Sequence, residues 1–209
     1  MPKTDPYRIE IDGKWTLNDL HEFPYAYTQA YSFLYSLMVD EISEDERLVI
    51  TFAAHPWTGG FSAVNFFHYL YYLIPKTERP TIVSIQYSSP GWIDLSLALA
   101  VGIALRRIVN NVCDATLRVN ETYTEIYKGL QKRRLLSLES KSAELKLDRE
   151  YLRFVEESAE TFARLLGFER LEELNNLAPN RLAALKMILA FYRRVRKLKE
   201  YQDKKKLKF

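Results

Sequence analysis

The residues best placed to do chemistry lie in one short run, Ala54-His-Pro-Trp-Thr-Gly-Gly-Phe-Ser-Ala63. The β-branched and aromatic stretch before it, Leu48–Ala54, reads as a strand, and the apolar stretch from Val64 to Ile74 as a helix. At a strand-to-helix junction backbone N–H groups can face an anion, and glycine lets that anion come close. His55, Thr58, Gly59, Gly60 and Ser62 are therefore the candidate anion-binding set. The run lacks the Lys-Ser/Thr of a phosphate-binding P-loop and the three spaced glycines of a dinucleotide fold. A tight turn with Ser62 capping the helix is the plainer reading.

His55 could act as a general base only if a carboxylate such as Asp94 or Glu22 oriented it in three dimensions. His21 has no better context, and His68, inside Phe66-Phe-His-Tyr-Leu-Tyr-Tyr72, reads as a hydrogen-bonded core or rim histidine. The single cysteine, Cys113, sits beside Asp114, which raises rather than lowers a thiol pKa. One cysteine and three scattered histidines give no zinc spacing, and no Gly-x-Ser-x-Gly, HExxH or CxxC motif occurs. The sequence thus assigns no catalytic residue, metal or cofactor, and favours a non-enzymatic role over an enzymatic one.

The second charged feature is the C-terminal segment 192–209, with nine Lys or Arg against two acids. Residues 1–191 hold 21 basic against 25 acidic residues, so the charge is strongly asymmetric. Arg193, Arg194, Arg196, Lys197, Lys204, Lys205 and Lys206 form a candidate patch for nucleic acid or another polyanion, through counterion release. An anionic membrane or an acidic protein surface would suit the same charge. The alternative is a solvated helix end, where cations favour the dipole.

The elements that must carry these residues follow from periodicity. Tyr7–Ile11 alternates apolar with charged residues and ends at Asp12-Gly13, as a short strand does. Tyr27, Tyr31, Leu34, Tyr35 and Met38 mark one stripe of a helix over 24–39. Two strands, Pro80–Tyr87 and Trp92–Leu97, flank Ser88-Ser-Pro-Gly91, which suits a type II turn. The stretch Val83–Leu95 resembles the strand and Ser-Pro turn of small adaptor domains found beside bacterial conflict-system effectors. That likeness covers only a short piece of the chain and specifies no site.

From Leu97 to Leu130 no proline intervenes, and Val101, Leu105, Ile108, Val112, Thr116, Val119, Tyr123, Ile126 and Leu130 recur at steps of three and four with one stutter, the two successive fours ending at Thr116. Val101, Leu105, Ile108, Val112, Val119, Ile126 and Leu130 are its apolar seam. A continuous helix of roughly 50 Å is expected. Asp148 is the expected N-cap of a second helix ending at Gly167, and a third begins near Pro179.

The fold class is α+β, predominantly α: a small N-terminal sheet with packed helices, then a long-helix hairpin or three-helix bundle. The expected division is an α+β head over 1–96 and a helical extension over 97–209. No secretory signal is visible, which points to the cytosol. The apolar stretch Leu95–Leu105 is too short for a bilayer and reads as a buried helix start. The leading functional expectation is an interaction or assembly protein, binding itself or another protein through the helix seam.

Overall fold

The computed structural model describes residues 6–39, 46–58 and 60–209, the side chains of Gly60 and Phe61 excepted. Among them are eight helices and one four-stranded antiparallel sheet, so the fold is α+β and predominantly α.

The strands are β1 (Tyr7–Ile11), β2 (Thr81–Gln86), β3 (Gly91–Ser96) and β4 (Leu207–Lys208), in the order β2-β3-β1-β4. Alternation decides the two faces. Tyr7, Ile9 and Ile11 are buried, and they lie opposite Leu95, Ile93 and Gly91 of β3. On the outer face Arg8 grips Asp94 in a fork, Nε to Oδ1 at 2.7 Å and Nη2 to Oδ2 at 2.9 Å, while stacking on Trp92. The turn between β2 and β3 contains a cis Ser89–Pro90 peptide, unlike the all-trans type II turn expected. Gly91 is required there, because a Cβ would stand 2.4 Å from the Gln86 carbonyl oxygen.

Helix α1 (Leu17–Met38) begins seven residues before Pro24, because Thr16 and Asp19 form a reciprocal capping box. Tyr27, Tyr31 and Tyr35 are buried along it, and the Tyr31 hydroxyl ties the loop before β2 to the residue preceding the next helix. It donates to the Glu78 carbonyl at 2.8 Å and accepts from Ala98 N–H at 2.8 Å.

The expected strand Leu48–Ala54 is instead a helix, α2 (Glu46–Ala53). Its β-branched run favours a strand locally, but only Leu48 and Phe52, four apart, are buried, and Phe52 meets Phe66 of α3 (Gly60–Leu73) edge-on at 5.0 Å. Tertiary packing on one helical stripe overrides intrinsic propensity here.

The expected single long helix is two, α4 (Leu99–Asp114) and α5 (Thr116–Lys132), broken at Ala115. The break falls at the stutter in the seam, where two successive steps of four would carry the apolar stripe off the core. The Thr116 hydroxyl donates to the carbonyls of Val112 and Cys113 at the joint. Residues 133–148 form an irregular link with no helix.

Helix α6 (Arg149–Leu166) follows Asp148, whose side chain makes no capping bond, and ends at Gly167 with φ 67°, as expected. After the short α7 (Leu171–Leu177) comes α8 (Arg181–Asp203), capped by Asn180, whose side chain accepts from Ala183 N–H. Pro179 therefore lies just outside that helix rather than in its first turn.

Every residue of α8 from Leu182 to Tyr192 is buried, and α1, α4 and α6 pack around it. Lys205, with φ 54°, turns the chain at the end of α8 through bonds from Lys205 N–H to Gln202 O and from Lys206 N–H to Tyr201 O. The chain then returns to pair β4 with β1, placing Lys208 opposite Glu10, and buries Leu207 and Phe209. The core thus runs without interruption across residues 96 and 97, joining first strand to last. Among the described residues no helix is long and apolar enough to cross a membrane.

Candidate functional site

On α8, Lys186, Leu189 and Arg193 step by three and four and so share one face. On α5, Tyr123, Tyr127 and Leu130 do the same. These two faces, with Trp57 and Thr58 from the loop after α2 and Leu136 from the link after α5, border an open cavity of about 440 Å³. The volume lies in the range of small-molecule sites.

Two cations and no carboxylate line it. Lys186 is 7% exposed, in the middle of an otherwise apolar stretch. Its ammonium donates to the carbonyls of Leu136 at 3.1 Å and Leu138 at 2.8 Å, leaving one of three N–H groups unassigned. Burial lowers the Lys186 pKa to about 8, while the two carbonyl acceptors favour the charged form and oppose that shift. Arg193 donates from Nη1 to the Tyr123 hydroxyl at 3.4 Å, a long bond that leaves most of its guanidinium donors uncommitted.

The aromatic wall is equally specific. Trp57 is buried, stands edge-on to Phe66 at 5.0 Å, and its indole N–H has no partner among the described residues. It also holds φ at 57°, a conformation costing an L-residue roughly 1–2 kcal/mol. Strain and an unsatisfied buried donor together mark a position held by more than packing.

Three expected sets meet here in part, the helix seam contributing Leu130. Thr58 from the loop and Arg193 from the basic segment border the same cavity. His55 and Ser62 border a different cleft, with Ile50, Asn65 and Tyr69. Gly60 opens α3, Ser62 lies in its first turn rather than at its cap, and Gly59 lies outside the described residues. His55 Nδ1 is 2.9 Å from the Thr51 carbonyl, which can only accept, so Nδ1 carries the proton. Neither carboxylate considered for orienting His55 is available. Asp94 is held by Arg8 and Ser84, and Glu22 by Lys197 at 2.6 Å. His21 and His68 are exposed, and burial raises the Cys113 thiol pKa, with Asp203 and Asp114 contributing less.

The basic segment is largely folded into the protein. Arg194 lies 4.1 Å above the Phe67 ring and donates to Gln29 at 2.8 Å. Lys197 pairs with Glu22 and Lys206 with Asp19, each at 2.6 Å, and Lys208 with Glu10 at 3.5 Å. Acids of the N-terminal region thus pair with three of the nine cations of the C-terminal segment. Arg196, Lys204 and Lys205 remain exposed.

The helix seam is also spent internally, since Val101, Leu105, Ile108, Val112, Val119, Ile126 and Leu130 are all buried within the chain. Lys186 and Trp57 were not among the sequence candidates. The available signal for Lys186 was a lone cation inside Leu182-Ala-Ala-Leu-Lys-Met-Ile-Leu-Ala-Phe191. Nothing in sequence distinguishes Trp57, because its strain and orphaned donor exist only in the fold. Compared with known proteins, the chain matches no family model, no curated protein and no solved structure.

Proposed function

We propose that the protein binds a small anionic ligand with an aromatic or apolar body in the cavity between α5 and α8. The observation that carries this reading is the convergence of Lys186 and Arg193 on an aromatic-walled space without a carboxylate. An anion between those cations replaces lost hydration with charge-assisted hydrogen bonds. Tyr123, Tyr127 and Trp57 supply flat apolar surface for the ligand body.

Thermal unfolding with phenyl phosphate and benzoate as probes tests it. Both probes raise the melting temperature of the native chain, and Arg193→Ala abolishes most of the rise. No shift with either probe, or equal shifts in native and Arg193→Ala proteins, refutes the reading.

An assembly role has one observation in its favour, at a place other than the helix seam. All ten residues from Thr81 to Pro90 are exposed, including the whole of the outermost strand β2.

A further inference from the structure

We infer that β2 is a docking edge for a second copy of this chain, two β2 strands pairing antiparallel about a two-fold axis to join their sheets. The inference rests on the assembly reading and names its partner.

The outward backbone groups of β2 have no backbone partner among the described residues. Such an edge is a template for another strand unless charge, proline, a bulge or a covering element protects it. Among the described residues β2 has one irregularity, between Ile82 and Ser84, and no covering helix. Pro80 and Pro90 bracket the segment, but from 80 to 90 no residue is charged.

The side chains add an apolar shelf. Ile82 lies opposite Leu95 and Ile85 opposite Ile93, so both isoleucines share the core-facing side of the sheet; the irregularity between Ile82 and Ser84 reconciles their odd spacing. Yet Ile82 is 54% and Ile85 50% exposed, whereas Leu95 and Ile93 are buried. The helical layer stops short of β2.

The occupant that fits is the same strand reversed. Antiparallel pairing with Ile82 of one copy opposite Ile85 of the other places four isoleucines on one face, extending the shelf across both copies. Self-pairing normally risks like charges across the axis, and an uncharged strand has none to oppose. A foreign partner selected by charge would find nothing to read here. A stable interface covers about 800 Å² per partner, more than a six-residue strand supplies, so the dimer is weak and concentration-dependent.

Sedimentation equilibrium of the full chain from about 1 to 200 μM tests it across that range. The native chain passes from monomer to dimer, Ile85→Lys raises the dissociation constant at least tenfold, and Leu117→Lys, at an exposed leucine on α5, leaves it unchanged. Val83→Lys serves as the second edge variant, and circular dichroism confirms that each variant is folded. A native monomer throughout overturns the inference and self-assembly with it. A dimer indifferent to both edge variants overturns the β2 edge alone and keeps self-assembly.

Discussion

Replacing Lys186 with methionine separates the buried charge from the shape of its side chain. In the unfolded chain the amine titrates near 10.5, and in the fold near 8. Below pH 8 the ammonium is charged in both states, and the fold bears the full cost of burying it. Between 8 and 10.5 the folded amine has shed its proton while the unfolded one still holds it. The unfolded state then binds more protons, so native stability rises with pH.

At about 1.36 kcal/mol per pKa unit the full gain is about 3 kcal/mol. Partial solvent contact through the cavity reduces this to about 1–2 kcal/mol. The Leu136 and Leu138 carbonyls left without a donor by methionine add a penalty that does not vary with pH. Urea unfolding of both proteins from pH 7 to pH 10 reads the difference directly. Native stability minus that of Lys186→Met should increase by about 1–2 kcal/mol over this interval. A flat difference, or one that decreases, refutes the reading that burial holds the Lys186 pKa down. The same linkage reaches ligand binding: an anion beside Lys186 favours the ammonium, so affinity for phenyl phosphate should fall above pH 8, and less so in the methionine variant.

Deleting residues 204–209 removes the buried Leu207 and Phe209 together with β4, and should cost about 3–6 kcal/mol in denaturant unfolding, where a solvated tail would cost almost nothing. The Arg8 fork holds the Asp94 carboxyl below its ordinary pKa, so its stabilisation is present above about pH 4 and is lost as pH falls through the lower folded value. Asp94→Asn should therefore lower stability at pH 7 and flatten the acid limb of the stability curve; an acid limb as steep as the native one would show that Asp94 does not drive it.

Periodicity located most elements where residue type and core position agree. β1, the body of α1 and the span of α6 follow from alternation or from steps of three and four, and the β2–β3 pair from two strand-like runs flanking the Ser-Ser-Pro-Gly turn. It failed over Leu48–Ala54, where a strand-favouring run is outvoted by Leu48 and Phe52 packing on α3, and at Ala115, where the stutter becomes a break. The cavity was legible only in fragments. Thr58 and Arg193 were visible as types, but their common wall depends on α5 and α8 lying side by side.

What the sequence alone determined was the class: a helix-rich α+β chain whose apolar seam must be covered and whose charge is split between its ends. Local pattern suffices for that, because burial selects residues by period. Which surface covers the seam, and which charge meets which, only the tertiary structure decided. Those answers depend on contacts between residues as distant as Asp19 and Lys206, brought together when α8 fills the centre and Lys205 turns the last strand back onto the first.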